Sequence, residues 1–142
     1  MLGAGQEILD TYVAAGQVKI IFWPMTPTGG NSYLAAIAAY CAGQQDALAY
    51  WTYHDFLYDH YKELTRADLD YFVDTAVSLN LDEPAFTTCF YSDEAQETIT
   101  RLDAERMQRG IQHRPTFDVA GNMLFGSQPF AAFDQIIQAA LP

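Results

Sequence analysis

The spacing of apolar residues near the start of the chain predicts a helix followed by a strand. Apolar residues three and four apart predict a short helix over residues 6–15, closed by Gly16. The β-branched and aromatic run 18–23 is interrupted only by Lys19 and halted by Pro24, which is typical of a strand buried on both faces. We therefore expect this strand to belong to an α/β sheet.

Between residues 31 and 110 the apolar positions keep a helical spacing almost without interruption. Tyr33, Ile37 and Cys41 recur every four residues, which predicts a helix ending near Gly43 with Cys41 on its buried stripe. A second predicted helix runs roughly from Asp46 to Tyr61. Capping and proline signals mark the starts of further helices at Thr65 with Asp68, at Pro84 and at Ser92.

The apolar spacing changes again after Gly110. Residues 116–120 and 123–125 are predicted strands, and the Gly121-Asn122 pair between them is a two-residue hairpin signal. Pro129 at a first helical position opens a final helix. The order is therefore helix, strand, a long helical block, a β-hairpin and a helix, which predicts one α/β domain.

Composition and charge narrow the classes of function. A chain of 142 residues has the usual size of one domain. Seven Lys and Arg against 18 Asp and Glu leave a net charge of −11, which repels phosphate backbones and makes nucleic acid an unfavoured partner. No run approaches the roughly 18 apolar residues of a membrane span, so none is predicted.

Two groups of residues offer the types of side chain that hold ions. His54, Asp55, Asp59 and His60 share one predicted helix, but the two histidines are spaced to point to different faces, unlike a zinc pair. The loop 28–32 lacks both the lysine of a phosphate-binding loop and the spaced glycines of a dinucleotide site. We therefore expect no metal site and no cofactor.

Several stretches of the chain occur in the order, and with the gaps, of one known family. They are NSYLAAIAAYCAGQQDALAYWTYHDFLY at 31–58, LNLD at 79–82 ahead of Phe86 and Cys89, Gly110-Ile111 ahead of RPTF at 114–117, and GNMLFG at 121–126. From about Glu7 onwards the chain resembles the DsbA-like thiol-disulfide oxidoreductases, which have a thioredoxin fold with a helical insertion. The resemblance implies one DsbA-like domain over 1–142, with thioredoxin-like parts at about 1–30 and 111–142 and the insertion at about 31–110.

The resemblance also implies that a redox motif is missing. The family carries a central strand that leads into a Cys-x-x-Cys pair on the first turn of a helix, and this sequence has neither. Its only cysteines, Cys41 and Cys89, lie far apart in the sequence, whereas the exchange chemistry needs two thiols about one turn apart. We therefore expect an N-terminally truncated member that has no catalytic residue and is inactive.

Four residues take expected roles from the family. The peptide bond before Pro115 is expected to be cis, and its loop is expected to present Arg114 to an extended substrate. Cys41 and Cys89 resemble paired non-catalytic cysteines, which predicts a structural disulfide if the protein is exported. Two free buried thiols are the alternative in a reducing cytosol. A periplasmic or extracytoplasmic location is expected if the full-length form carries an export signal.

The missing central strand leaves several interpretations open. In the family it lies between the strands that correspond to 18–23 and 116–120, so its absence leaves backbone groups on both unpaired. We therefore expect one of three arrangements. The two strands pair directly with each other, a second copy lends a strand in a strand-exchanged homodimer, or the chain is a fragment of a longer protein.

The expected function is that of the oxidoreductase family, acting on extended polypeptides. The first alternative is a non-catalytic module that binds a peptide or a partner strand. The second comes from glutathione-binding relatives of the same fold that isomerise small aromatic acids, for which no residue of this sequence argues.

Overall fold

The structure is a computed structural model that describes residues 4–26 and 31–142. The chain divides into two units. The terminal unit combines Met1–Phe22 with Met107–Pro142, and the helical unit is Trp23–Arg106. The helices are α1 (Gly5–Ile8), α2 (Ser32–Gln45), α3 (Ala47–Asp59), α4 (Tyr61–Leu64), α5 (Leu69–Ser78), α6 (Glu83–Phe90), α7 (Asp93–Gln108) and α8 (Phe130–Ala140), and the strands are β1 (Thr116–Val119) and β2 (Asn122–Phe125).

Three helices of the helical unit, α3, α5 and α6, start at aspartate side chains that accept hydrogen bonds from the first turn. Asp46 Oδ1 accepts from Leu48 N at 2.7 Å, and Asp82 Oδ1 accepts from Ala85 N at 2.7 Å. Each such cap is worth about 1 kcal/mol. The capping box predicted at Thr65 is wrong, because Asp68 alone caps α5 while the Thr65 hydroxyl donates to Lys62 O at 3.2 Å.

Aromatic rings fill the core of the helical unit. Tyr53 on α3 stacks on Phe86 of α6 with ring centroids 5.6 Å apart, and its hydroxyl donates to Phe72 O at 2.7 Å. All three side chains are fully buried. The hydroxyl therefore enters the core without leaving a donor unsatisfied.

Among the helices of the described residues, none has the length and apolar character needed to cross a membrane.

The terminal unit has a smaller core, built where α1 packs on α8. Its buried members are Ala4, Ile8, Tyr12, Phe133 and Ile137, and the partly buried residues packed against them include Val18, Ile20, Val119 and Leu124. The core therefore draws on both ends of the chain, and it joins the N-terminal helix to the hairpin and α8.

The helix predicted over 6–15 is present in a modified form. After α1 the backbone continues as a π-helical turn over Leu9–Val13, in which Ala14 N donates to Leu9 O at 2.9 Å. Gly16 then takes a φ of +70° and ends the helix, as its position in the sequence predicts.

The strand predicted over 18–23 is wrong. These residues have no regular secondary structure, and in the described part of the chain the sheet contains β1 and β2 alone. Val18 and Ile20 face the terminal core, whereas Ile21 is 65% exposed, so the segment is covered on one side and not on both. A strand exists only where a neighbour pairs with it, and direct pairing of this segment with β1 does not occur.

The predicted hairpin forms with its turn shifted by one residue. Val119 pairs with Asn122, so the turn residues are Ala120 and Gly121 rather than Gly121 and Asn122. Their φ angles are +51° and +85°, as a tight hairpin turn of primed type requires. Asp118 Oδ1 accepts from Gly121 N at 2.8 Å and holds the turn closed.

Candidate functional site: an open strand edge and a bridged groove

The bend that leads into β1 carries the predicted substrate-binding residues. The Arg114–Pro115 peptide bond is cis, and both residues are exposed. Two hydrogen bonds fix the bend, from the Thr116 hydroxyl to His113 O at 2.6 Å and from Gly126 N to Pro115 O at 2.8 Å. The Arg114 side chain therefore extends from a backbone that β2 holds in place.

The register of the hairpin shows which backbone groups of β1 are available. With Val119 opposite Asn122 around a two-residue turn, alternate residues of β1 exchange hydrogen bonds with β2. The backbone groups of Thr116 and Asp118 point the other way, to the outer edge of β1. No described residue hydrogen-bonds to these backbone groups. The outer edge of β1 is therefore an open template for strand pairing.

A second stretch of unpaired backbone lies in the same unit. Val18 N donates to Tyr12 O at 3.2 Å, but within the described ranges the backbone of Lys19, Ile20 and Ile21 makes no hydrogen bond. Ile20 packs on the same apolar core as Val119 of β1. The terminal unit thus presents two stretches of open backbone, both supported by one core.

A hydrogen-bond network anchors this core. The Tyr12 hydroxyl donates a short hydrogen bond to Asp134 and accepts from Gln138 Nε2 at 2.9 Å. The hydrogen bond to the Asp134 carboxylate, together with burial, raises the pKa of Tyr12 above its ordinary value. The network fixes the π-helical turn to α8 and so holds the N-terminal segment beside the hairpin.

The two units differ sharply in charge. The terminal unit carries three Lys and Arg against four Asp and Glu, a net charge of −1, whereas the helical unit carries four against 14, a net charge of −10. The open edge of β1 therefore lies in the nearly neutral unit.

The two cysteines lie in the helical unit and form a disulfide. It joins Cys41 of α2 to Cys89 of α6, with Cα atoms 5.7 Å apart and a sequence separation of 48. The two cysteines lie on different helices, so the bridge is not a local pair of the Cys-x-x-Cys kind. Cys41 is 1% exposed and Cys89 is half-buried. The described residues contain no free cysteine.

A groove of about 530 Å³ runs beside this disulfide. Cys89 lines it together with Tyr40 of α2, Thr88 of α6 and Glu94 of α7. Sequence analysis missed the groove, because a concave surface depends on how three helices pack and leaves no local signal in the sequence.

The residues considered as metal ligands take separate partners. His54 Nδ1 lies 3.0 Å from Asp55 Oδ1, whereas His60 Nδ1 lies 2.8 Å from Phe56 O on its own helix. In residues 4–26 and 31–142 no three His, Cys, Asp or Glu side chains lie close enough to hold a metal ion.

The loop considered as an anion site falls mostly outside the described residues. Of residues 28–32, the structure describes Asn31 and Ser32. Asn31 donates its side-chain amide to the carbonyl oxygens of Leu64, at 2.9 Å, and Ala67. It therefore ties the start of α2 to the segment between α4 and α5 and does not cap α2 with its side chain.

Comparison with known families places this architecture. A family model described as thioredoxin matches residues 2–139, nearly the whole chain. The chain belongs to the thioredoxin family. A thioredoxin-family domain supports a general assignment to thiol-disulfide oxidoreductases, and the mainly helical structure with a small antiparallel sheet agrees with a thioredoxin-like fold that has a helical insertion. No curated protein and no solved structure matches the chain.

Proposed function

We propose that this thioredoxin-family chain is a DsbA-like domain that holds extended polypeptides and performs no thiol-disulfide exchange through a local cysteine pair. The observation that carries the proposal is the open outer edge of β1, beside Arg114 and Pro115. The two cysteines are bonded to each other across separate helices, so neither is a free thiol that can act as a nucleophile.

An extended peptide fits this edge through its backbone. Its N–H and C=O groups pair with those of Thr116 and Asp118, which gives affinity without requiring a particular sequence. Phe125 lies opposite Thr116 on the same face of the hairpin and is 51% exposed, so it offers apolar contact to an alternate side chain of the peptide. The exposed Arg114 guanidinium adds a donor for an acidic or amide side chain.

A substitution at Thr116 tests the pairing. Thr116→Pro removes the outward N–H, while Thr116→Val keeps it and removes only the hydroxyl bond to His113. We expect the proline variant to bind an extended unstructured peptide roughly three- to tenfold more weakly, the effect of one lost hydrogen bond, and the valine variant to bind like the wild type. Equal peptide affinity for all three proteins, measured by isothermal titration calorimetry, contradicts the proposal.

An insulin-reduction assay tests the missing chemistry. We expect no turnover above the rate of the reductant alone, because exchange needs a reactive thiolate close to a resolving thiol. Turnover by the wild-type chain that a Cys41→Ala/Cys89→Ala variant loses contradicts the proposed inactivity and leaves the peptide-binding result unaffected.

A second candidate function is the binding of a partner strand, and the open backbone at Lys19–Ile21 supports it. One strand that pairs with this segment and with β1 satisfies both open edges, and a second copy of the chain can lend it in a strand-exchanged homodimer. We expect amide protons of Ile20 and Asp118 to gain hydrogen-exchange protection together as concentration rises and a dimer forms. A monomer at every concentration by light scattering contradicts this candidate.

A further inference from the structure

The two halves of the disulfide differ in their access to solvent. Cys41 lies in the core of the helical unit and is 1% exposed, whereas Cys89 is half-buried and lines the groove of about 530 Å³. Cys89 is therefore the half of the bridge that a thiol entering the groove meets first. In thiol-disulfide exchange, which sulfur is attacked depends on access and on which sulfur can leave.

We propose that Cys89 is a thiolation site, at which a low-molecular-weight thiol opens the disulfide from the groove. The thiolate of the small molecule attacks Cys89 Sγ and forms a mixed disulfide with it. The Cys41–Cys89 bond breaks, its electron pair stays on Cys41 Sγ, and that sulfur takes up a proton. A second small thiol then attacks the adduct, leaving both protein cysteines reduced and one small disulfide formed.

The environment of Cys41 sets the rate of this opening. The departing sulfur carries negative charge among apolar residues, and such surroundings disfavour a thiolate. Opening is therefore slow in comparison with an exposed disulfide. Closure is favoured because Cys41 Sγ stays next to Cys89, so the attack on the adduct is intramolecular. The adduct is expected to accumulate only when Cys41 is absent.

The charge around the groove selects the thiol. Glu94 lines the groove, and the helical unit carries a net charge of −10. The local potential repels anionic thiols and attracts cationic ones. The site therefore favours small cationic thiols such as cysteamine, then neutral ones, and disfavours carboxylate-bearing ones.

Two single variants separate the reactivities of the two sulfurs. Cys41→Ala leaves Cys89 as a free thiol, and Cys89→Ala leaves Cys41 free, so both lack the bridge and form a matched pair. Each is incubated with cystamine in native buffer and analysed by peptide mass mapping, after circular dichroism shows that it is folded. We expect Cys89 in the first variant to be modified at least 100-fold faster than Cys41 in the second. Comparable rates overturn the proposal.

The wild-type protein and a surface variant test the site without removing the bridge. The measured quantity is the rate at which cysteamine, 2-mercaptoethanol or 3-mercaptopropionate reduces the wild-type disulfide. Each rate is divided by the thiolate concentration and by the rate of the same thiol with an exposed model disulfide. We expect native reduction to be fastest with cysteamine and several-fold slower with 3-mercaptopropionate, a ratio that shrinks in 1 M salt. We expect Glu94→Gln to lower the ratio of the cysteamine rate to the 3-mercaptopropionate rate. Glu97→Gln, on the same helix but outside the groove, is expected to lower this ratio less. Equal relative rates, or reduction only in denaturant, overturn the proposal.

Discussion

The helical and terminal units satisfy their backbone groups in different ways. Helices dominate the helical unit, where aspartates cap several starts and a disulfide joins α2 to α6. The terminal unit holds a two-stranded hairpin with an open outer edge and the segment Lys19–Ile21, whose backbone makes no hydrogen bond to any described residue. Helices satisfy most backbone groups within one segment, whereas strands need neighbours. The unit richer in strand backbone is therefore the one left with open backbone groups.

The largest expected effect comes from comparing one phenylalanine in each unit. Phe86 is fully buried in the core of the helical unit, whereas Phe117 in the terminal unit is 38% exposed and contacts Phe133 edge-to-face. Phe86→Ala is expected to lower the free energy of unfolding by about 3–5 kcal/mol. Phe117→Ala is expected to lower it by about 1–2 kcal/mol, because less apolar area is buried. Urea unfolding measures both, and equal losses contradict the difference in burial between the two side chains.

The disulfide is expected to have the next largest effect. It closes a loop with a sequence separation of 48 in the helical unit. The double variant Cys41→Ala/Cys89→Ala is expected to lose about 2–4 kcal/mol of unfolding free energy, mainly through the greater freedom of its unfolded chain. The wild type unfolded in urea with a strong reductant serves as the matched control. If the reduced wild type loses unfolding free energy but the double variant is as stable as the oxidised wild type, this account is contradicted.

Buried tyrosines of the helical unit predict a loss of stability in alkali. Burial raises the pKa of Tyr53 far above the ordinary tyrosine value of 10.0. A raised folded-state pKa gives stability that is present below pH 10 and is lost as pH rises above it, because the unfolded chain ionises first. Tyr53 alone is expected to contribute a decline of about 1.4 kcal/mol per pH unit there.

Urea unfolding between pH 9 and 11 tests this expectation. Tyr53→Phe is expected to remove its share of the decline, while Thr52→Ala, which removes no ionisable group from the same helix, is expected to keep it. A Tyr53→Phe protein whose stability falls as steeply as the wild type contradicts the assignment.

The smallest expected difference compares two aspartates that bond to nearby backbone. Asp82 caps α6 in the helical unit, and Asp118 closes the hairpin turn in the terminal unit. Asp82→Ala is expected to cost about 1 kcal/mol, and Asp118→Ala about 0.5–1 kcal/mol, the net value of an exposed hydrogen bond. The corresponding asparagine variants, which keep an acceptor oxygen, are expected to recover most of each loss in thermal unfolding. Failure of Asp82→Asn to recover stability contradicts its role as a cap.

The sequence predicts the helices better than the strands, for a physical reason. A helix such as α6 is specified locally, by Asp82 before it and Pro84 in its first turn. Residues 18–23 have strand-forming side chains, but a strand also depends on a paired neighbour, and the sheet of the described residues contains β1 and β2 alone. The hairpin turn is displaced by one residue because Asp118 bonds to Gly121 and draws Ala120 into the turn.

The candidate sites, like the strands, can be predicted only in part from the sequence. Arg114 and Pro115 are identified by the resemblance to a family, and their roles in substrate binding stay predictions. The open edge of β1 depends on the register of the hairpin, and the groove depends on the packing of α2, α6 and the start of α7. The burial difference between Cys41 and Cys89 could not be predicted in full, because helical spacing indicates only that Cys41 faces inward.

The alanine at the tip of the hairpin keeps the paired strands below their attainable stability. Ala120 has a φ of +51°, a left-handed conformation that costs an ordinary L-residue roughly 1–2 kcal/mol. Glycine and asparagine adopt this conformation at little cost. A single substitution of Ala120 by glycine or asparagine would therefore stabilise the pairing of β1 with β2 without changing either core. The same substitution would lower the frequency with which the edge strand frays.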